Sequence, residues 1–172
     1  SAYQIVHNGL SGHYDQGVNG VVGVDGTAYI FWQNPVAGSP YTGDYVGMGK
    51  STDGGVTWTV TPNIYDCNGI RGTISQKAGI RTNDFPATGI DKTGGARRGW
   101  IYSVTAEKNL APAGSDPDIV FHRSTDGGAT WSAGIRVNQD AMNNGKIQYM
   151  PWLVVDDGCA VNVIYYDDRE TT

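Results

Sequence analysis

The sequence predicts an all-β chain built as β-propeller blades, that is, four-stranded antiparallel meanders. About two and a half blades fit, so the propeller is incomplete. Three observations carry this expectation. Glycine fills 25 of 172 positions, about double the usual ~7 %, while five Trp and ten Tyr supply the bulky apolar surface. That balance, with few helix formers, favours strands joined by tight turns. The octapeptide STDGGVTW at 51–58 returns as STDGGATW at 124–131, with only Val56 and Ala129 differing. Around these copies, segments 21–32, 86–104 and 151–166 each read as an apolar strand, an aspartate, a glycine-bearing turn and an aromatic strand. Their aspartates are Asp25, Asp91 and Asp156. A repeat of this length holds four short strands with their connections, although it exceeds the commoner propeller period of ~40–50 residues.

The elements follow in order. Residues 1–19, opening SAYQIVHN, are expected as an outer strand of a preceding or closing blade. Blade 1 spans 20–65, with strands GVVGV, AYIFW, YVGMGKS and TWTV. A long connection covers 66–84. Blade 2 spans 85–140, with PATGI, GWIYSV, DIVFHRS and TWSAGIRV. Residues 141–172 supply the first half of blade 3. Open strand edges are an aggregation hazard, so the remaining blades of the same protein, or neighbouring chains, are expected against both ends.

Each octapeptide reads as a hairpin turn. Asp53 and Asp126 are placed to accept hydrogen bonds from nearby backbone N–H groups, and the glycines supply positive φ without penalty. Ser51 and Ser124 can bond back into the same loop. Trp58 and Trp131, directly after the turns, are expected as equivalent buried anchors. The reading is structural rather than catalytic.

The pattern Ser-x-Asp-x-Gly-x-Thr-Trp resembles the Asp-box, or bacterial neuraminidase repeat, of sialidase-like β-propellers. Its positions here are Ser51, Asp53, Gly55, Thr57 and Trp58, then Ser124, Asp126, Gly128, Thr130 and Trp131. The resemblance implies the propeller fold and a secreted, extracellular or periplasmic protein. It does not imply one activity, since fold and function separate readily. Catalytic members of the family carry an arginine two residues before a proline at the start of an innermost strand. Here those positions hold Asp84, before Pro86, and Tyr149, before Pro151. The sequence YYDDRE near the C-terminus gives no match to the family's Tyr–Glu nucleophile pair.

Topology places the function. In a meander, the octapeptide turns share one end of the blade with the first-to-second strand turns, including GGARRGW at 94–100. The longer segments gather at the other end, where sites are usually carried. That end collects Tyr41, Asp44, Asp66, Arg71, Arg81, Asp84, Glu107, Asp116, Asp118, Asp167, Asp168 and Arg169. From these, Arg71, Arg81, Asp84, Asp116, Asp118, Asp167, Asp168 and Arg169 form the candidate ligand face. Such arginine–carboxylate clusters suit sugar or carboxylate recognition, because guanidinium forks bind carboxylates bidentately, and a solvated rim of local ion pairs is the plain alternative.

Other groups are weighed against chemistry. Twelve Lys plus Arg against seventeen Asp plus Glu give a net charge of −5, and no basic stripe points to nucleic acid. No run reaches the ~18 apolar residues of a membrane span. Cys67 and Cys159 lie in loop-like stretches, and both a disulfide and two independent thiols fit. His7, His13 and Asp15 match no metal-ligand spacing and read as a solvated N-terminal segment. His122 reads as a sheet-face residue. The chain implies no cofactor, although Asp116 and Asp118 with Asn109 could give oxygens to Ca²⁺, which takes 6–8 of them.

Two functions follow. The first is a noncatalytic scaffold binding a glycan or protein ligand through the long-loop face. The second is an exo-sialidase-like glycoside hydrolase, its catalytic residues completed by blades outside this segment.

Overall fold

A computed structural model of the chain describes residues 3–74 and 79–170, and every regular element in it is a strand. The first sheet is a meander of β1 (Gln16–Val22), β2 (Ala28–Pro35), β3 (Gly43–Ser51) and β4 (Thr59–Asp66), bonded in that order. A short hairpin, β5 (Gly72–Thr73) with β6 (Arg81–Thr82), interrupts the long connection. The second meander contains β7 (Ala87–Ile90), β8 (Ile101–Glu107), β9 (Asp118–Ser124) and β10 (Ile135–Arg136). Strands β11 (Gln148–Val155) and β12 (Val161–Asp167) form a third, two-stranded sheet. The chain is thus all-β and consists of two complete blades and two strands of another.

The core lies between blades. Tyr29, Phe31 and Met48 of the first meet Ile90 and Ile101 of the second. Val104, Ala106 and Ile119 of the second meet Ile147, Tyr149 and Leu153 of the third. Strand β8 is buried along its whole length because alternate side chains face different neighbours: Ile101 faces the first blade, while Tyr102 and Val104 face the third. A strand covered on both faces loses the polar alternation of a half-exposed one. Full burial of side chains such as Phe31 or Ile101 stabilises the fold by about 2 kcal/mol each.

The first-to-second strand turns close through Gly23 N–H to Thr27 O, Asp91 N–H to Trp100 O, and Asp156 N–H to Ala160 O. Asp25 therefore lies two residues deeper in its turn than Asp91 and Asp156 lie in theirs. Matching the closing donors Gly23, Asp91 and Asp156 aligns the inner strands of the three blades.

Three elements differ from expectation. Residues 3–12 form no strand. The segment instead lies over the first blade: His7 stacks on Trp32 with ring centroids 5.2 Å apart and bonds Asp15 at 2.8 Å. Docking, rather than solvation, fixes these residues. The first inner strand also starts at Gln16 rather than after residue 19, and a bulge between Gln16 and Asn19 begins it. The fourth strand of the second blade shrinks to Ile135–Arg136. Ser132 still pairs with Arg123, but Gly134 beyond it is crowded by Val120, Pro112 and His122.

Candidate functional site

The octapeptides build near-identical turns. Asp53 Oδ1 accepts the Val56 and Thr57 N–H groups at 3.0 and 2.9 Å, and Asp53 Oδ2 accepts the Thr57 hydroxyl at 2.6 Å. Ser51 Oγ takes the Gly55 N–H at 2.9 Å and donates to Asp53 at 2.8 Å. In the second copy, Asp126 accepts the Thr130 N–H and hydroxyl, and Ser124 Oγ accepts the Gly128 N–H. These donors hold both carboxyls down to about 2. Gly54, Gly55, Gly127 and Gly128 all have positive φ, which an L side chain adopts reluctantly.

Trp58 and Trp131 are each half-buried rather than buried. The Trp131 ring packs against Phe31 and Tyr65 across the blade interface. Trp58 donates to Gly55 O at 3.2 Å and lies near Gly49 and Val6, since the face it points from meets the N-terminal segment and not a blade.

The octapeptide end carries a hollow of about 410 Å³ beside Asp25, Lys50, Arg98 and Asp126. Its polar groups are largely committed: Lys50 donates to Gly127 O, Arg98 donates to the Lys92 and Thr93 carbonyls, and Asp25 caps Thr27. Its GGARRGW turn lies at this end, away from the long connections.

At the opposite end, the starts of the inner strands and the long connection enclose a polar cleft of about 290 Å³. Arg71, Arg81, Gln16, Thr82, Asn83 and Phe85 line it. Arg71 is preorganised: Nη1 donates to the Tyr14 hydroxyl at 2.7 Å, Nη2 donates to Gln16 Oε1, and the guanidinium stands 5.7 Å from the centre of the Tyr14 ring. Arg81 is exposed at the rim. Phe85 separates this cleft from an apolar groove of about 360 Å³ that runs past Gly17, Met150 and Trp152.

Asp84 is fully buried next to the cleft, wedged against Gly43 and Gly69. Its Oδ2 accepts the Gly43 N–H at 2.8 Å, while Oδ1 has no hydrogen-bond partner. Burial pushes its pKa up to about 6, against the opposing pull of the Gly43 N–H and the Arg71 charge. Glu107 is buried nearby, where Gly69 bridges to its backbone, and burial raises it to about 7 despite the Thr105 hydroxyl.

The remaining candidate residues form a separate network between the second and third blades. Asp118 binds Arg136 Nε at 2.6 Å and Asn138 at 2.7 Å, and its other oxygen takes the Gly114 N–H. Asp116 accepts the Gly145 N–H, Asp168 accepts the Ile147 N–H, and Asp167 pairs with Arg169. Each of these carboxylates is engaged by the protein itself. Asp44 bonds His13 at 3.0 Å and Asp66 accepts from Asn63. Tyr41 stands exposed with φ of 60°. His122 lies buried between the first two blades, stacked on Tyr65 at 3.9 Å.

The two cysteines are free: Cys67 is buried and accepts from Gln33 at 2.8 Å, whereas Cys159 lies in a turn near Gly95. Among the described residues, no three His, Cys, Asp or Glu side chains are grouped to hold a metal ion. Among the same residues, no helix is long and apolar enough to cross a membrane.

Sequence reasoning missed Tyr14, Gln16, Asn83 and Phe85. A signal existed: Gln16 occupies the inner-strand position that Asp84 and Tyr149 hold in the next blades, but no proline marks it.

No family model and no curated protein matches the chain. Among solved structures, it resembles an α-L-arabinofuranosidase from Fusarium graminearum in complex with an iminosugar inhibitor. That match has TM-score 0.58 and 17 % identity, over 95 % of this chain and 44 % of that one. A GH93 α-L-arabinofuranosidase of Fusarium graminearum with arabinobiose matches at TM-score 0.58 and 18 % identity, over 96 % and 45 %. A Hadza microbial sialidase gives TM-score 0.49 and 18 % identity, over 92 % and 36 %. The chain spans less than half the length of each. It therefore has the fold of β-propeller glycosidases, in the form of an incomplete propeller.

Proposed function

We propose that this chain is part of a secreted Asp-box propeller that binds a glycan, without hydrolysing it, at the cleft between its first two blades. The observation that supports this most is Arg71, whose guanidinium is fixed by Tyr14 and Gln16 beside Phe85. A preorganised donor fork next to an aromatic ring suits sugar hydroxyls and carboxylates, because little side-chain freedom remains to be lost on binding. The likeness to arabinofuranosidases agrees with a glycan ligand in general terms.

Hydrolysis is the second reading, favoured by the raised Asp84 and Glu107 carboxyls, since a neutral carboxyl near pH 7 can act as a general acid. Both carboxyls are sealed from the cleft surface by their burial, so binding is preferred. The test is an array of arabinose-terminated and sialic-acid-terminated oligosaccharides, probed with wild type and Arg71→Ala. Binding that weakens about tenfold or more in the variant, ~1.4 kcal/mol, supports the cleft. Equal binding by both proteins rejects it, and turnover of fluorogenic glycosides by wild type favours the hydrolase.

A further inference from the structure

The stretch that leads into Arg71 is fastened to both blades, and a buried carboxyl stands on each side of it. Cys67 N–H and Gly69 N–H bond the first blade at Asp44 O and Gly43 O, each at 3.0 Å. Ile70 N–H bonds Ala106 O and Asn68 O takes the Lys108 N–H of the second blade. Gly69 lies between the carboxyls: its backbone bridges to Glu107, and a Cβ on it would collide with the Asp84 side chain. Asp84 and Glu107 are 0 % and 1 % exposed. Asp84 Oδ2 takes the Gly43 N–H while Oδ1 has no partner, and Glu107 is met by the Thr105 hydroxyl and the Asn68 N–H. The titratable and charged groups facing the pair are Cys67 and Arg71 of the connection, Asp44 of β3, itself bonded to His13, and Tyr65 of β4. Of these only Arg71 carries a fixed positive charge, and Tyr14 and Gln16 hold it on the cleft side. A buried carboxylate without a close counter-charge is strongly disfavoured, whereas the neutral acid is tolerated. Ionisation is relieved most readily where water can enter, and a connecting segment opens before the core strands do.

We propose that Asp84 and Glu107 form a proton-controlled latch on residues 67–71. Protonated, the pair holds this stretch against both blades and keeps Arg71 in place; ionised, it releases the stretch locally and the cleft loses its fixed guanidinium. The consequence for binding rests on the glycan reading of the cleft, while the latch itself does not. The sign follows from burial, which pushes the two carboxyls up to about 6 and about 7. The fastened state then binds both protons more tightly than the released one. Its advantage is fully present below about 4 and is lost as pH rises through about 6 and 7. The cleft therefore holds ligand in mild acid and lets it go above neutrality.

The test compares amide hydrogen exchange in the 172-residue chain and in its Asp84→Asn, Glu107→Gln double variant at about pH 5 and about pH 8. Comparison at one pH cancels the intrinsic exchange rate. At about pH 8, residues 67–70 and 106–108 of the wild type should exchange about tenfold faster than those of the variant. At about pH 5 the two proteins should agree, and β2 and β3 should agree at both. Glu107→Gln alone should remove part of the difference should the double variant fail to fold. Equal exchange at the higher pH, or an acceleration shared by every strand, overturns the latch. Arabinobiose and sialyllactose serve as binding probes. Whichever binds should weaken about tenfold between the two pH values in the wild type and less in the variant. Binding that stays equal overturns the link from latch to cleft. If neither probe binds at either pH, the glycan reading fails and the exchange result still decides the latch.

Discussion

Trp131 meets Phe31 edge-on, with ring centroids 6.0 Å apart and planes at 84°. The contact joins the turn of one blade to the central strand of its neighbour, and Tyr65 completes it at 5.6 Å. An edge-to-face pair adds about 0.5–1.5 kcal/mol to the area it buries. Trp131→Ala should therefore cost about 2–4 kcal/mol, near the range for removing a large aromatic. Trp58→Ala, which leaves a turn contact and no blade interface, should cost less. Equal losses in urea unfolding would remove the distinction between the two tryptophans.

The octapeptide aspartates should shape the acid limb of stability. Both carboxyls sit near 2 because the turn N–H and hydroxyl groups bond the ionised form. With the folded value below the unfolded one, their stabilisation is fully present above about 4 and is lost as pH falls towards 2. Asp53→Asn with Asp126→Asn should lower the melting temperature at pH 7 and flatten its fall between about 4 and 2. An acid limb as steep as that of wild type would contradict the turn bonds.

The fold was legible because its signals are local and repeated. Strand alternation, turn glycines and the paired octapeptides all act within a few residues, so pattern alone placed most strands. What stayed hidden depends on tertiary packing. The N-terminal segment is expected as the outer strand of a preceding or closing blade, yet the His7 stack on Trp32 holds it across the first blade. Of the expected ligand face, only Arg71, Arg81 and Asp84 come together. Asp118 is taken by Arg136, a partner that spacing does not reveal, and Asp167 by its near neighbour Arg169.

Glu107 should make the protein less stable as pH rises. Burial raises its carboxyl from 4.5 to about 7, so the folded state binds the proton more tightly. Stability then declines from about 4.5 upward and levels off above about 7, and Asp84 adds the same sign up to about 6. The loss from Glu107 is on the order of 3 kcal/mol at most. Glu107→Gln keeps the acceptor for Thr105 without the charge, so its unfolding free energy should vary less between pH 5 and 8. An unchanged pH slope would show that the carboxyl ionises freely.

Thiol chemistry should separate the cysteines. Cys67 is buried beneath Gln33, and burial raises its thiol well above the ordinary range, whereas Cys159 is half-buried in a turn. A reagent that attacks thiolates should label Cys159 in the native protein and reach Cys67 only after unfolding. Labelling of neither thiol in the denatured, unreduced protein would instead mean a disulfide.

Gly17 ties the backbone to the proposed site. Its φ of 69° is one that L side chains rarely adopt, and the Phe85 ring occupies the space a Cβ would need. Met150 holds the corresponding bulge in β11 with φ of 50°, so a side chain is tolerated there when no ring lies over it. Gly17→Ala must therefore both strain the bulge and push Phe85 aside. The expected cost is about 2–4 kcal/mol, from a residue forced to positive φ and an overpacked contact. Because Phe85 walls the cleft on one side and the apolar groove on the other, its displacement should also weaken glycan binding. Phe85→Ala in the same background relieves the clash and leaves the φ strain. The double variant should recover part of the stability while binding stays low. Full recovery of binding in that double variant would show that Phe85 is a packing residue with no part in the cleft.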